Sequence, residues 1–224
     1  MKGMIYMIAN KLVKETEFLV IDFETLTPKG RSPEPIELGI QKINGYTIDM
    51  DASVSWLIQP PEGLHVTKLD TIQTGIKESD LIGKQSIDQV MNRVNNSCLK
   101  KDYVFIAQNA KYEANILSHH TKKYEGIAKT PIMDTILLAK HVLPNLPNYK
   151  LDTLAYALNL TIPEDRHRAL ADCILTAHVF LRLLKIQSEK KEIIYLDELL
   201  RIAEIKTKYN QSMQIDIFDL LSFN

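Results

Sequence analysis

Apolar and polar positions fall into short runs over the first sixty residues of the chain. Short apolar runs bounded by glycine, proline and asparagine are typical of β-strands. The predicted strands cover residues 18–24, 36–43 and 53–59. Turn residues separate them, Pro28 to Gly30 in the first gap and Asn44-Gly45 in the second. Three strands joined in this way predict an antiparallel meander, which Pro60-Pro61-Glu62-Gly63 ends.

Farther along the chain the apolar positions recur every three to four residues, which is typical of helices. The predicted helices cover residues 86–94, 111–119, 133–142, 151–158, 168–186 and 196–208. One short strand, residues 103–107, lies between the first two helices. Strands followed by an alternation of strand and helix predict an α/β fold, in which α-helices flank a mixed β-sheet.

The two ends of the chain differ in character from its middle. A charged run at residues 189–192 predicts a boundary near residue 187, with one main domain over 1–187 and a helical extension with a short apolar tail over 188–224. Residues 1–10 have an apolar bias but are too few to span a membrane, and they lack the architecture of a signal peptide. We expect them to pack as an N-terminal extension.

Composition narrows the class of protein. Of the 224 residues 45% are apolar and 25% are charged, which is ordinary for a globular protein. The net charge of −1 does not indicate a protein that wraps duplex nucleic acid. It leaves a nuclease open, because metal ions can offset phosphate charge locally. Cys98 and Cys173 form no spacing pattern, which indicates a reducing, cytoplasmic setting.

Acidic residues mark the end of the first predicted strand and the start of a long helix. Asp22 and Glu24 are two apart on a strand, so their side chains point to one face. Asp172 would add a third carboxylate, and three hard oxygen donors suit Mg²⁺ or Mn²⁺ better than zinc. His167 lies five residues before Asp172 and suits a general base. Together these residues suggest two-metal hydrolysis of a phosphoryl ester, whereas each alone could be a solvated charge.

Four motifs in chain order carry a resemblance to a known superfamily. Residues 18–25 read FLVIDFET, 36–40 read IELGI, 108–113 read QNAKYE and 167–172 read HRALAD. In this order and spacing the chain resembles the DEDDh 3′→5′ exonuclease superfamily, and it looks closest to the DnaQ-like branch that holds the epsilon proofreading subunit of bacterial replicases. The resemblance covers roughly residues 17 to 185 and implies an RNase H-like fold.

The resemblance also implies roles for five residues. Asp22 would bridge two divalent ions, Mg²⁺ or Mn²⁺, while Glu24 and Asp172 would complete the site of the ion that binds the attacking water. Glu113 would support the second ion through water, and His167 would take the proton from the nucleophile.

The second motif departs from the family pattern at two positions. Gln108 and Glu113 stand where the family has histidine and aspartate. Glutamate keeps the charge and adds one methylene, and a role through water tolerates the longer arm better than direct ligation would.

Residues on either side of these motifs are expected to hold the 3′-terminal nucleotide. By the same resemblance they are Thr25, Thr74, Gly75, Ile76 and Asn109. A site of this kind holds a few unstacked nucleotides, so no sequence readout is expected.

The leading functional hypothesis is a DNA 3′→5′ exonuclease for proofreading or repair, which acts on single-stranded or frayed 3′ ends. An RNA exonuclease on the same scaffold is the alternative, because a site for the 2′-hydroxyl cannot be located in one sequence. A catalytically weakened nucleic-acid-binding module is a third hypothesis, and Glu113 is its only support.

The C-terminal tail carries a further short pattern. Gln214, Asp216, Ile217 and Phe218 resemble the peptide by which bacterial replication proteins dock onto the sliding clamp. Such peptides bind in extended form and bury alternating apolar side chains. A replicative polymerase or sliding clamp is therefore a candidate partner, against the alternatives that the tail packs on its own domain or binds another protein.

Overall fold

A five-stranded mixed sheet forms the centre of the computed structural model, which describes residues 11–28, 30–120 and 123–206. The strands are β1 (Glu17–Leu26), β2 (Glu34–Asn44), β3 (Thr47–Leu57), β4 (Tyr103–Ala107) and β5 (Ile132–Asp134). Their order across the sheet is β3-β2-β1-β4-β5. The first three are antiparallel neighbours, and β4 and β5 run parallel to β1. The predicted meander and mixed sheet are confirmed.

Nine α-helices flank this sheet in the described part of the chain. They are α1 (Lys68–Thr74), α2 (Glu78–Leu81), α3 (Ile87–Lys100), α4 (Lys111–His120), α5 (Glu125–Lys129), α6 (Thr135–Val142), α7 (Leu151–Ala157), α8 (Ala169–Lys190) and α9 (Leu196–Ala203). A short 3₁₀ turn, Val13–Glu15, precedes the first strand. None of the described helices is both long and apolar enough to cross a membrane.

Strand β1 separates two apolar cores because its side chains alternate between the faces of the sheet. Phe18 and Val20 pack in the core that includes α8, where the ring of Phe18 meets that of Phe180 edge-on at 5.2 Å between centroids. Leu19 and Ile21 pack in the core on the opposite face. The row that begins with Phe18 and Val20 continues to positions 22 and 24, so both acidic residues lie on the face of α8.

The first turn of α8 touches β2 backbone to backbone. A Cβ atom at Gly39 would lie 2.4 Å from the carbonyl carbon of Ala169, which no side chain can tolerate. Gly39 is also the partner of Asp22 in the β1–β2 register. The absence of a side chain at Gly39 therefore brings the start of α8, and with it Asp172, over the end of β1.

Two predicted elements begin or end elsewhere. The helix predicted over 133–142 begins with the short strand β5, and α6 starts only at Thr135. Periodicity cannot distinguish a buried strand of three residues from the first turn of a helix. The helix predicted over 196–208 ends at Ala203, because Glu204 pairs with Met133 in a β-bridge.

Other parts of the sheet and its connections differ in extent. Strand β3 begins at Thr47 and not at residue 53. Its first half is a largely exposed edge strand in which Asp49 and Asp51 alternate with Ile48 and Met50, so it contains no continuous apolar run. Helices α1 and α2 lie in a stretch with no predicted element. Helix α1 is short, capped by Thr67 at its start and Gly75 at its end, and local hydrogen bonds rather than an apolar stripe define it.

The C-terminal part of the described chain packs on the same core as α8. Leu196, Leu199 and Ala203 of α9 are buried in that core, and α8 runs without interruption through residue 187 to Lys190. The division of the chain near residue 187 stays a prediction. Residues 1–10 and 207–224, which include the predicted N-terminal extension and the apolar tail, lie outside the described residues.

Candidate active site

Three carboxylates meet where β1 approaches the start of α8. One oxygen each from Asp22, Glu24 and Asp172 lies within 4.8 Å of the other two. The strand supplies the first two by its two-residue repeat, and the first turn of α8 supplies the third. The structure thus brings together the three acidic residues that the sequence grouped.

The local electrostatics favour protonation of Asp22 and Glu24 in the absence of a cation. Burial, with the charge of Asp172 next in importance, raises the pKa of Asp22 to about 7. Burial and the charges of Asp22 and Asp172 raise the pKa of Glu24 to about 9. Arg166 opposes both shifts without cancelling them. Carboxylates shifted in this direction are characteristic of sites built to hold a positive charge.

Glu113, in the first turn of α4, is the fourth acidic residue near this cluster. Its side chain is 3% exposed, and its Oε2 atom has no hydrogen-bond partner among the described residues. Burial, followed by the charge of Asp22, raises its pKa well above the usual range. A buried acceptor without a donor is costly, so this atom is ready for a cation or an ordered water molecule.

Asp134 fixes the start of α4 and hence the direction of Glu113. Its carboxylate at the end of β5 accepts hydrogen bonds from the backbone N–H groups of Ile136, Ala110 and Asn109. Asn109 takes the left-handed backbone conformation, with φ of 62°, as the chain enters the helix. The same carboxylate also caps the first turn of α6.

His167 lies in the exposed loop before α8 and also has a left-handed backbone, with φ of 68°. An arginine precedes it and another follows it. Arg166 contacts the carboxylate of Asp172 and donates from Nε to Asp152 of α7 at 2.9 Å. The loop that carries His167 is therefore tied to the acidic cluster on its N-terminal side.

Arg168, on the other side of His167, forms an ion pair with a buried carboxylate on β2. Glu37 is 1% exposed and accepts hydrogen bonds from Arg168, Ser55 and the backbone N–H of Ala169. Although burial raises the pKa of Glu37, these hydrogen bonds outweigh burial and lower it below the usual range. Glu37 is thus a fully partnered carboxylate close to the partly buried cluster.

A cleft of about 600 Å³ opens beside the carboxylates. Its lining residues come from β1, α1, α4 and the loop before α8, and they are Phe23, Glu24, Thr25, Thr27, Ile72, Gln73, Thr74, Tyr112 and His167. The hydroxyl groups of Thr25 and Tyr112 share a hydrogen bond across it. Ile72 is 79% exposed, an unusual exposure for a large apolar side chain. The cleft combines an acidic end, hydroxyl groups and an apolar side chain.

The residues predicted to hold the terminal nucleotide are divided by the structure. Thr25 and Thr74 line the cleft, and Gly75 ends α1 beside it. Ile76 is buried in a small core with Leu26, Ile36 and Leu81, so its side chain does not reach the cleft.

Asn109 is exposed at the entry to α4 and is not part of the cleft lining. The predicted partner residues Gln214, Asp216, Ile217 and Phe218 lie outside the described residues.

Sequence reasoning overlooked several residues of this region. Tyr112 stands within the second motif, and its position there was a usable signal. The two arginines around His167 are equally visible in the sequence, but the partner of Arg168, Glu37, lies 131 residues away. Ile72 belongs to a helix without an amphipathic pattern, so the sequence carries no signal for it.

Comparison with known proteins places the chain among exonucleases. The family model RNase_T, described as exonuclease, matches residues 19–180. The PolC-type DNA polymerase III of Caldanaerobacter subterraneus subsp. tengcongensis is 30% identical over 196 residues, which are 87% of this chain and 14% of that protein. The chain thus spans about a seventh of the length of this relative.

Solved structures with similar folds include two nucleases. Exonuclease X in complex with 5′-overhanging duplex DNA has a TM-score of 0.63 and 19% identity, over 83% of this chain and 98% of that one. The nuclease domain of 3′hExo, a DEDDh family member bound to rAMP, has a TM-score of 0.65 and 19% identity, over 76% of this chain and 92% of that one. At this identity the likeness concerns the fold, and it confirms the expected RNase H-like architecture.

Proposed function

The chain belongs to the RNase T family of exonucleases, within the DnaQ-like 3′→5′ exonuclease superfamily, and from this membership we propose that it hydrolyses DNA one nucleotide at a time from the 3′ end. The proposed site is the acidic cluster with two divalent ions, Mg²⁺ or Mn²⁺, and His167 as general base. The observation that carries the proposal is the convergence of three carboxylate oxygens within 4.8 Å beside a cleft that His167 lines.

The residues of the cluster fit divalent metal ions. Their donor atoms are all carboxylate oxygens, which Mg²⁺ and Mn²⁺ prefer. Among the described residues the Oε2 atom of Glu113 has no hydrogen-bond partner, and the pKa values of Asp22 and Glu24 are raised, as expected of a site that binds cations. We propose that Asp22, Glu24 and Asp172 hold the ions directly and that Glu113 acts through water. Such ions, when bound, stabilise charge on a phosphoryl group and lower the pKa of water.

His167 is proposed to accept the proton of the attacking water. It lines the cleft beside the carboxylates and lies in the loop that leads into α8 and Asp172, and this position supports the assignment. A positioned general base contributes about 10²–10⁴-fold to a rate. Its exposure keeps it in exchange with bulk water, through which the proton can leave.

The cleft is proposed to hold the terminal nucleotide. The hydroxyl groups of Thr25 and Tyr112 suit the polar atoms of the sugar, and the exposed Ile72 suits the face of a base. None of these contacts distinguishes one base from another, in keeping with an enzyme that degrades any sequence.

DNA is preferred over RNA in this proposal because the PolC-type relatives are DNA polymerases by name. RNA is the second candidate, since one structure of similar fold is bound to rAMP. The two are separated by single strands of identical sequence in DNA and RNA form, labelled at the 5′ end and incubated with Mg²⁺, Mn²⁺ or EDTA. The expected result is a metal-dependent ladder of DNA products shortened from the 3′ end.

The control strand in that experiment carries the label at its 3′ end, and it should release labelled mononucleotide at once. The variant Asp22→Asn should give neither product. Internal cuts, or hydrolysis that survives EDTA, would contradict the proposal, and binding without hydrolysis would support the weakened binding module.

The partner of the exonuclease is proposed to be a replicative polymerase, which the names of the PolC-type relatives support, or a sliding clamp, which the tail pattern suggests. The tail pattern from Gln214 to Phe218 gives the clamp alternative a direct test. A peptide of residues 212–221 should bind a bacterial clamp at a micromolar dissociation constant, and Phe218→Ala should abolish this binding. No binding by the parent peptide would leave the tail to its own domain or to another protein.

A further inference from the structure

We propose that Glu37 and Arg168 are positioning residues for His167: their ion pair anchors the loop before α8 to β2 and holds the histidine over the cleft. This inference rests on the proposed function, because it assigns the pair an effect on the general base.

The first line of support is the completeness of the hydrogen bonding around Glu37. Arg168 donates from Nη2 to Oε1 at 2.8 Å and from Nε to Oε2 at 3.0 Å. Ser55 on β3 donates to Oε1 at 2.6 Å, and the backbone N–H of Ala169 donates to Oε2 at 3.2 Å. A two-pronged pair of this kind fixes orientation as well as distance, which a single point contact does not.

The second line of support is where these bonds fall along the chain. Arg168 is the N-cap residue of α8, and its own side chain does not cap the helix. The backbone N–H of Ala169, the first residue of the helix, has no acceptor within the helix and donates to Glu37 of the sheet. One carboxylate therefore holds both the last residue of the loop and the first residue of the helix.

The third line of support is the backbone of His167 itself. Its φ of 68° is an unfavourable conformation for a residue with a side chain, and it persists only where neighbours impose it. Here Arg166 is held by Asp152 on one side, and Arg168 is held by Glu37 on the other. The histidine is thus suspended between two anchored residues.

A backbone contact next to the ion pair fixes the start of α8, where the loop ends. Gly39, two residues from Glu37 on the same strand, is in direct backbone contact with Ala169. The contact holds the helix against β2. The ion pair sets the direction in which the chain runs from His167 into the helix. Loss of the ion pair would release that direction and leave the helix contact in place.

The experiment measures single-turnover cleavage of a 5′-labelled DNA strand at saturating Mg²⁺, with Arg168→Lys, Arg168→Gln and Glu37→Gln in the parent and in His167→Ala. In the parent we expect the two Gln variants to lower the rate by about 10–100-fold, since a small misplacement of a catalytic group has effects of that order. Arg168→Lys should recover part of the loss. In His167→Ala the same changes should lower the rate no further, because residues that act through one group are not additive.

The matched control is Glu17→Gln at the other end of the same pair of strands. Glu17 forms an ion pair with Lys42 at 2.6 Å. Glu17→Gln therefore also removes a strand carboxylate that is paired with a basic side chain, but at the end of the strands away from His167. Its rate should equal that of the parent. Half-saturating Mg²⁺ concentration and circular dichroism should match the parent in every variant that is scored.

Two results would overturn the inference. A full single-turnover rate in Arg168→Gln would remove the proposed role, and this variant decides the question even where Glu37→Gln fails to fold. A further loss in the His167→Ala background, equal to that in the parent, would show that the pair acts on something other than the histidine. A parent protein without hydrolysis would instead overturn the proposed function itself.

Discussion

Glu24 and Glu37 are the same residue type, directly opposite each other on β1 and β2, yet their environments differ completely. Burial and neighbouring acids raise the pKa of Glu24 to about 9. Glu37 is also buried, but Arg168, Ser55 and Ala169 donate to it and lower its pKa. Partners therefore decide what a buried carboxylate does. Glu37 and its donors hold the scaffold together, whereas Glu24, which the charge of Arg166 compensates only in part, is proposed to bind a cation.

The difference also has an energetic side. A buried charge without a partner destabilises the folded state, whereas the hydrogen bonds of a fully bonded charge offset the cost of its burial. Functional sites commonly contain the first kind. The acidic cluster is thus expected to reduce the stability of the metal-free protein. The ion pair of Glu37 and Arg168 holds the adjacent backbone in place.

The largest effect is expected when one carboxylate of the cluster is removed. We expect Asp22→Ala to abolish hydrolysis, with a loss of at least ~10³-fold, while the thermal midpoint in EDTA stays equal or rises because mutual repulsion is relieved. Release of labelled nucleotide and thermal unfolding measure the two effects. Asp51→Asn, an exposed acid on β3, is the control and should change neither. Near-normal Mg²⁺-dependent turnover in Asp22→Ala would contradict the proposed site.

Removal of the proposed base should have the next largest effect. His167→Ala is expected to lower the turnover rate by about 10²–10⁴-fold, the range for a lost general base. The Mg²⁺ concentration for half-maximal activity should change little, because the carboxylates are intact. His65, exposed and paired with Glu78 away from the cluster, gives the control His65→Ala. Weak metal binding combined with normal turnover at saturating metal would show that the role of His167 is different.

The two glutamates predict opposite dependences of stability on pH. For Glu24 and Asp22 the folded pKa is raised above the unfolded one, so between about pH 4 and pH 9 the folded state binds more protons and unfolding becomes easier as pH rises. For Glu37 the folded pKa is lowered, so its contribution is present above its unfolded pKa and is lost as the pH falls through its folded value.

Urea unfolding in EDTA at pH 6 and pH 9 measures the contribution of Asp22 and Glu24. The metal-free parent should be less stable at pH 9, and Glu24→Gln should reduce that difference. Mg²⁺ should stabilise the parent more at pH 9 than at pH 6. A parent as stable at pH 9 as at pH 6 in EDTA would contradict the raised pKa values.

The smallest expected effect concerns the fourth carboxylate. Glu113→Asp should retain at least parental activity, because it restores the shorter side chain that the family carries at this position. Glu113→Gln should raise the Mg²⁺ requirement by a few-fold, about 2–10-fold, since a neutral acceptor in place of a charged one weakens a water-mediated contact to a cation. Activity titrated against Mg²⁺ measures both. Equal and negligible effects of the two changes would remove Glu113 from the site.

The acidic cluster could be predicted from sequence because its geometry follows local rules. Asp22 and Glu24 continue the two-residue repeat of Phe18 and Val20, and Asp172 lies in the first turn of a long periodic helix. The family motif supplied the distance between these two elements, which periodicity alone does not contain.

The rest depended on contacts between distant segments. Glu37 sits in a strand whose neighbours are apolar, and its partner Arg168 is 131 residues away. Strand β5 has only three residues, and the core around Ile76 is formed by segments that carry no common pattern. Tertiary pairing determines such features, so a one-dimensional pattern cannot reveal them.

The backbone contact at Gly39 sets the spacing of the cluster in a way that side chains could not. Since the backbones of β2 and the start of α8 are in direct contact, the separation of the Asp22 and Asp172 backbones follows from rigid peptide units, whereas side-chain rotamers exchange within nanoseconds. The apolar residues beneath can therefore change over evolutionary time, one methyl group gained and another lost, without moving the two carboxylates apart. Glycine at position 39 is the residue that such drift cannot replace.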